Sequence, residues 1–126
     1  MAHYAILNEN NVVTQVIVGK DENELDANGN FIDWEQYYGA KRTSYNTYAN
    51  EHLNGGIPFR YNYAGIGYTF EPNVGEHGAF VPPHTYPSWI LNTDKYIYEP
   101  PTPYPSDGKP YYWSEPSHQW IELPVE

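Results

Sequence analysis

Proline and glycine interrupt this chain too often for long helices: 12 Pro and 10 Gly fall within 126 residues. Proline in a helix removes a backbone donor and clashes with the preceding turn, and glycine carries an entropic cost there. The remaining sequence is strongly aromatic, with 14 Tyr, 4 Trp and 4 Phe. Aromatic side chains bury large areas with few rotatable bonds and favour the pleated surface of a strand. That supply also argues against disorder despite the low mean hydropathy. The expectation is a mainly β chain: a single small domain over residues 1–126, made of successive antiparallel hairpins joined by Pro-rich extended linkers.

The net charge is −10, from 16 acidic and 6 basic residues, and only Lys41 and Arg42 are adjacent cations. A phosphate-binding surface needs clustered Lys and Arg, so neither nucleic acid nor an anionic membrane is an expected partner. The chain has no cysteine, which excludes disulfides and thiolate metal sites. No apolar run approaches the roughly 18 residues of a helical membrane span. The opening Met1-Ala2-His3-Tyr4 lacks a basic region followed by an apolar stretch, so the expected place of synthesis is a cytoplasm.

Residues 3–19 read as a hairpin. Tyr4-Ala5-Ile6-Leu7 and the β-branched run Val12 to Val18 flank the turn-forming Asn8-Glu9-Asn10-Asn11. An acidic stretch leads to an Asn28-Gly29-Asn30 turn. Asp33 then caps the one expected helix, Trp34 to Tyr38, and Gly39 ends it. From Arg42 to Tyr63 no period is visible, and an ordered loop is expected within a loop-rich middle over residues 20–66.

Three hairpin-like units follow, over residues 67–83, 86–101 and 104–124. They pair Gly67-Tyr68-Thr69-Phe70-Glu71 with Ala79-Phe80-Val81, Trp89-Ile90-Leu91 with Tyr96-Ile97-Tyr98, and Tyr111-Tyr112-Trp113 with Gln119-Trp120-Ile121. Pro82-Pro83-His84-Thr85-Tyr86-Pro87-Ser88 recurs 18 residues later as Pro100-Pro101-Thr102-Pro103-Tyr104-Pro105-Ser106. If the units share one architecture, Phe70, Leu91 and Trp113 are equivalent and largely buried, as are Phe80, Tyr98 and Trp120. Residues 92–95 and Ser117-His118 are then exposed turn tips. Single hairpins are marginal, so their apolar faces must pack on each other or on a partner. The candidate interaction residues are Tyr68, Phe70, Tyr86, Trp89, Tyr104, Trp113 and Trp120. Core packing and partner contact both remain open for them, as does stacking on sugar rings.

No catalytic constellation is visible. The five histidines form no His-x-x-x-His pair, and Asp21-Glu22-Asn23-Glu24-Leu25-Asp26 lacks the glycine and closing glutamate of a calcium loop. There is no Gly-x-Ser-x-Gly elbow, dinucleotide fingerprint or phosphate loop. The expectation is a non-enzyme with no catalytic residues, no metal and no cofactor.

Several stretches resemble small proteins of marine cyanophages and related ocean tailed phages. They include residues 1–13 and 16–20, Asp33-Trp34-Glu35, Lys41-Arg42-Thr43-Ser44-Tyr45-Asn46-Thr47, His52-Leu53-Asn54-Gly55-Gly56-Ile57-Pro58-Phe59-Arg60 and Tyr86-Pro87-Ser88-Trp89. Residues 62–68 and 104–108 complete the pattern. Such proteins often carry a longer, Cys-containing segment before the Lys-Arg-Thr-Ser motif, where Gly39-Ala40 stands here. The resemblance implies a structural component of a virion: a capsid decoration, narrowly, over a tail or fibre adaptor. Its partners would be other virion proteins or further copies of itself, with the N-terminal hairpin as scaffold and the C-terminal units as contact surface. A glycan-binding module of a tail fibre is the alternative.

Overall fold

A computed structural model of the chain describes residues 2–124. Its strands pair as one three-stranded sheet and four two-stranded hairpins, with a single five-residue helix. The mainly β architecture of successive antiparallel hairpins is as expected.

The first strand, β1 (Ala2–Leu7), is central in its sheet, between β2 (Val13–Gly19) and β3 (Lys41–Thr43). Alternate side chains of a strand face opposite ways, so β1 supplies two cores at once. Ala2 and Tyr4 pack with Trp34 and Ala40 on one face, while Ala5 packs with Val13, Phe70 and Phe80 on the other. Ala5 faces Val16 and Tyr4 faces Ile17 across the β1–β2 ladder. Past Ile6 the register slips, so that Leu7 meets Val13 and Thr14 is left over. That bulge lets Val13 and Val16 share a face despite their odd spacing. The turn is tied by Asn8, whose Oδ1 accepts from the amides of Asn10 (2.8 Å) and Val12 (3.0 Å).

Helix α1 (Trp34–Tyr38) begins and ends as its caps dictate. Asp33 Oδ1 accepts from Gln36 N at 3.2 Å, and Gly39 takes a left-handed φ of 63°. The helix exists to place aromatics. Trp34 covers Tyr4, and Tyr38 lies flat enough on Gly19 that a Cβ there would sit 2.7 Å from its ring. The acidic stretch is bound internally: Trp34 Nε1 donates to Glu24 O, and Asp26 Oδ1 accepts from the Asn28 and Asn30 amides.

The middle of the chain departs from the expected loop. Residues 41–43 form β3, and β4 (Thr47–Tyr48) pairs with β5 (Glu51–His52) in a minimal hairpin. No alternation of apolar and polar residues announces strands this short. They are specified by long-range bonds instead: Thr43 Oγ1 accepts from Ala64 N, and Thr47 Oγ1 accepts from Phe59 N.

The three C-terminal hairpins pair as β6 (Thr69–Glu71) with β7 (Ala79–Val81), β8 (Ile90–Asn92) with β9 (Ile97–Glu99), and β10 (Tyr111–Ser114) with β11 (Gln119–Glu122). The first attaches to the N-terminal sheet through backbone bonds, Val13 N to Tyr68 O and Phe70 N to Asn11 O, both 2.8 Å. Directly opposite pairs are Phe70 with Phe80, Leu91 with Tyr98, and Trp113 with Trp120. The equivalence read from the sequence thus holds at the level of register. Burial is less uniform: Phe70, Phe80 and Trp113 are buried, but Leu91, Tyr98 and Trp120 are only half-buried. Tyr98 has one ring partner, His84, and Trp120 meets Trp89, Tyr104 and Trp113 edge-on, so part of each ring is left to solvent. The second and third turns match closely, with the last loop residue left-handed in each (Tyr96 φ 54°, His118 φ 52°).

Candidate interaction surface

Five of the seven candidate residues converge. Trp89, Trp113 and Trp120 form a triangle of edge-to-face rings with centroids 5.2–6.2 Å apart. Tyr86 packs on Trp89 at 5.1 Å and Tyr104 on Trp120 at 4.9 Å. Edge-to-face packing sets the positive ring edge against the negative face, adding specificity to area burial. Tyr68 and Phe70 are elsewhere, both in the core over Ala5. Burial, and then a hydrogen bond with Tyr63, push the Tyr68 phenol up, which keeps it neutral.

The triangle is held by polar contacts. Glu115 accepts from Ser88 N (2.9 Å), Ser88 Oγ (2.6 Å) and Trp113 Nε1 (2.8 Å), which joins the second hairpin's entry to the third hairpin's turn. Those donors hold the Glu115 carboxyl below the ordinary range, the Ser88 hydroxyl contributing most. Trp120 Nε1 donates to Thr102 O at 2.8 Å and pins the second proline segment to the third hairpin. Among the described residues Trp89 Nε1 is the one buried side-chain donor without a partner.

Beside Trp89 lies an open groove of about 290 Å³. Tyr48, Tyr86, Trp89 and Tyr98 give it an aromatic wall, and Pro82, Pro83, Thr85 and Ile97 complete the lining. No residue lining it is charged at neutral pH. His84 stiffens the wall by stacking on Tyr98 at 4.0 Å and 8°, and its Nε2 lies 2.8 Å from Trp89 O. A carbonyl only accepts, so Nε2 carries the proton in this contact.

Three features escaped the sequence reading. Asn62, fully buried, donates through Nδ2 to Phe80 O and Tyr96 O (2.9 Å each) and accepts from Ala49 N at 2.8 Å, joining three segments. Its amide orientation follows from those partners, since the carbonyls require donors and the amide an acceptor. Arg60 donates to Glu35 (2.7 Å), Arg42 O and His77 O, while the Arg42 guanidinium lies 3.9 Å over the Phe59 ring. Burial pushes the Glu35 carboxyl up, but hydrogen bonds from Arg60 and the Arg42 amide outweigh it and leave the group below its usual range. The third feature is the loop after β5. His52 Nδ1 accepts from Asn54 N and Gly56 N, both 3.1 Å, and the loop it ties presents Leu53 (72 % exposed) and Ile57 (88 % exposed). Asn54-Gly55-Gly56 is a turn-forming run in the sequence, but nothing there announces the exposed pair beside it.

One expected turn tip is corrected. Thr93, Asp94 and Lys95 are exposed, as are Ser117 and His118, but Asn92 is half-buried. Its Oδ1 accepts from the Asp94 and Lys95 amides and its Nδ2 donates to Glu99, so the side chain is folded under the turn it shapes.

No group of three or more His, Asp or Glu side chains among the described residues is arranged to hold a metal ion. No described helix is long and apolar enough to cross a membrane. Comparison with protein-family models, curated proteins and solved structures returns no match.

Proposed function

We propose that this chain is a non-enzymatic structural protein of a tailed phage, made in the host cytoplasm and resident in the virion. It docks on the particle exterior, on the capsid surface in preference to the tail. The observation that carries this reading is the tied loop at residues 52–57. Leu53 and Ile57 stand in solvent on a backbone already fixed by His52, so seating them in an apolar pocket costs little ordering entropy. On a surface of net charge −10, such a tip serves contact better than solubility. The phage context rests on the resemblance of residues 41–47, 52–60 and 86–89. The preference for capsid over tail rests on small size and on the absence of catalytic motifs from the sequence.

Mass spectrometry of purified virions with copy-number quantitation tests this directly. Hundreds of copies per particle are expected, a few to tens would move the protein to the tail, and absence from particles would overturn the reading. Leu53→Asp with Ile57→Asp should abolish recruitment while leaving the fold intact. The second reading, glycan binding, is favoured by the aromatic wall of Tyr86, Trp89 and Tyr98, and a glycan array with the purified protein tests it.

A further inference from the structure

The aromatic groove and the second proline segment are complementary surfaces of one molecule. Of residues 100–105, four are prolines whose rings fix φ near −65°, and none is charged. In extended polyproline form six residues reach roughly 19 Å, at about 3.1 Å each. The segment is exposed over residues 101–104 and held in place by Trp120 through Thr102 O and by the Tyr104 ring. Aromatic-walled grooves take such segments because proline is already ordered and its ring lies flat on an indole or phenol.

We infer that the groove receives residues 100–105 of a second copy of this chain, forming a reciprocal dimer. Three observations select this occupant. Two copies of a chain of net charge −10 meet with least local repulsion where neither approaching surface carries charge, and the groove lining and residues 100–105 are two such surfaces. Groove and segment are also adjacent: Ile97 and Tyr98 line the groove, and Pro100 follows within two residues. That adjacency lets each copy give its segment and receive the other's across one two-fold axis, the closed form most homo-oligomers take. Finally, Trp89 backs the groove while Trp120, 6.2 Å away, backs the segment, so the tryptophan triangle is a shared rigid support for both halves.

Sedimentation equilibrium of the purified chain over a range of protein and salt concentrations tests the inference. A monomer–dimer equilibrium is expected, and it should strengthen as salt rises, because screening removes like-charge repulsion. Two variants separate the surfaces: Tyr48→Ala on the groove side, and Pro101→Ala with Pro103→Ala in the segment. Each should weaken dimerisation at least tenfold with an unchanged circular dichroism spectrum. An equimolar mixture of the two variants should regain part of the association, because their heterodimer restores one of the two groove–segment contacts. A chain monomeric at every concentration, a dimer weakened by salt, a dimer indifferent to both variants, or a mixture no stronger than either variant alone would each overturn the inference. These readouts need no particle, so they stand or fall separately from the virion assignment.

Discussion

Replacing Asn62 by alanine removes one side chain and strands three backbone groups. Ala49 N, Phe80 O and Tyr96 O each lose the partner that the amide gives them, and the site is closed to solvent. Phe80 N bonds outward to Arg60 O, so the β7 backbone at Phe80 faces Asn62 rather than β6 and has no ladder partner to return to. An unsatisfied buried group costs about 1–3 kcal/mol. Partial relaxation and the entry of water reduce the sum for three groups to about 3–5 kcal/mol. Against a typical total stability of about 5–15 kcal/mol, that is enough to bring the fold near its threshold. Urea denaturation followed by tryptophan fluorescence measures it, and a loss below about 1 kcal/mol would refute the hub reading. Asn62→Asp sharpens the test. A carboxylate can still accept from Ala49 N, but it opposes two carbonyl oxygens, which raises its folded pKa above the unfolded value of about 3.9. The folded variant then binds more protons than the unfolded one, so it should gain stability as pH falls through that raised pKa and lose it above. A stability deficit relative to the wild type that grows steadily on acidification from neutrality would contradict the assigned geometry.

Trp113→Ala should cost about 3–5 kcal/mol in the same assay, since Trp113 is buried between two other indoles, whereas Asp94→Ala on an exposed turn should cost under about 1 kcal/mol. Gly19→Ala should destabilise by about 1–3 kcal/mol, because the new methyl would meet the Tyr38 ring at 2.7 Å; an unchanged midpoint would mean the ring moves freely. The Glu115 carboxyl is held low by Ser88 and Trp113, so its contribution is complete above its unfolded pKa and disappears as pH falls through the lower folded value. Glu115→Gln should therefore lower Tm at neutral pH and flatten the acid limb of the Tm–pH curve, and a parallel curve would show that the bridge carries no stability. EDTA should leave Tm unchanged, and a fall of several degrees would point to a structural ion.

The parts of this fold that were legible in the sequence are those written in local chemistry. Asp33 and Gly39 bracket five helical residues, the Asn8 turn joins two β-branched runs, and the aromatic pairs of the last three hairpins fall opposite one another. What was hidden depends on partners far along the chain. Arg60 and Glu35 meet across 25 residues, and Asn62 and Tyr96 across 34. Neither spacing leaves a periodic trace, and a lone Asn among tyrosines looks like a turn residue. The candidate surface divided in the same way. Tyr86, Trp89, Tyr104, Trp113 and Trp120 resemble Tyr68 and Phe70 in sequence, and only the packing of hairpins on one another sets the five apart from the two.

Among the described residues, no backbone-to-backbone hydrogen bond runs from the third C-terminal hairpin to the rest of the molecule; Glu115 attaches it by accepting from Ser88, Trp113 by packing on Trp89, and Trp120 by donating to Thr102 O. Strand ladders lock length, because one added residue turns every later side chain to the wrong face. A hairpin fastened by side chains is exempt from that arithmetic. Residues 107–109, exposed around a left-handed Gly108, are the natural splice point. Lengthening them costs about 0.6 kcal/mol per doubling in loop entropy, beyond the exposed contacts of Asp107 with Lys109 N and the Tyr111 hydroxyl. The third hairpin can thus change in length without rewriting the core that Tyr4 and Ala5 organise, so long as Glu115, Trp113 and Trp120 keep their contacts to Ser88, Trp89 and Thr102.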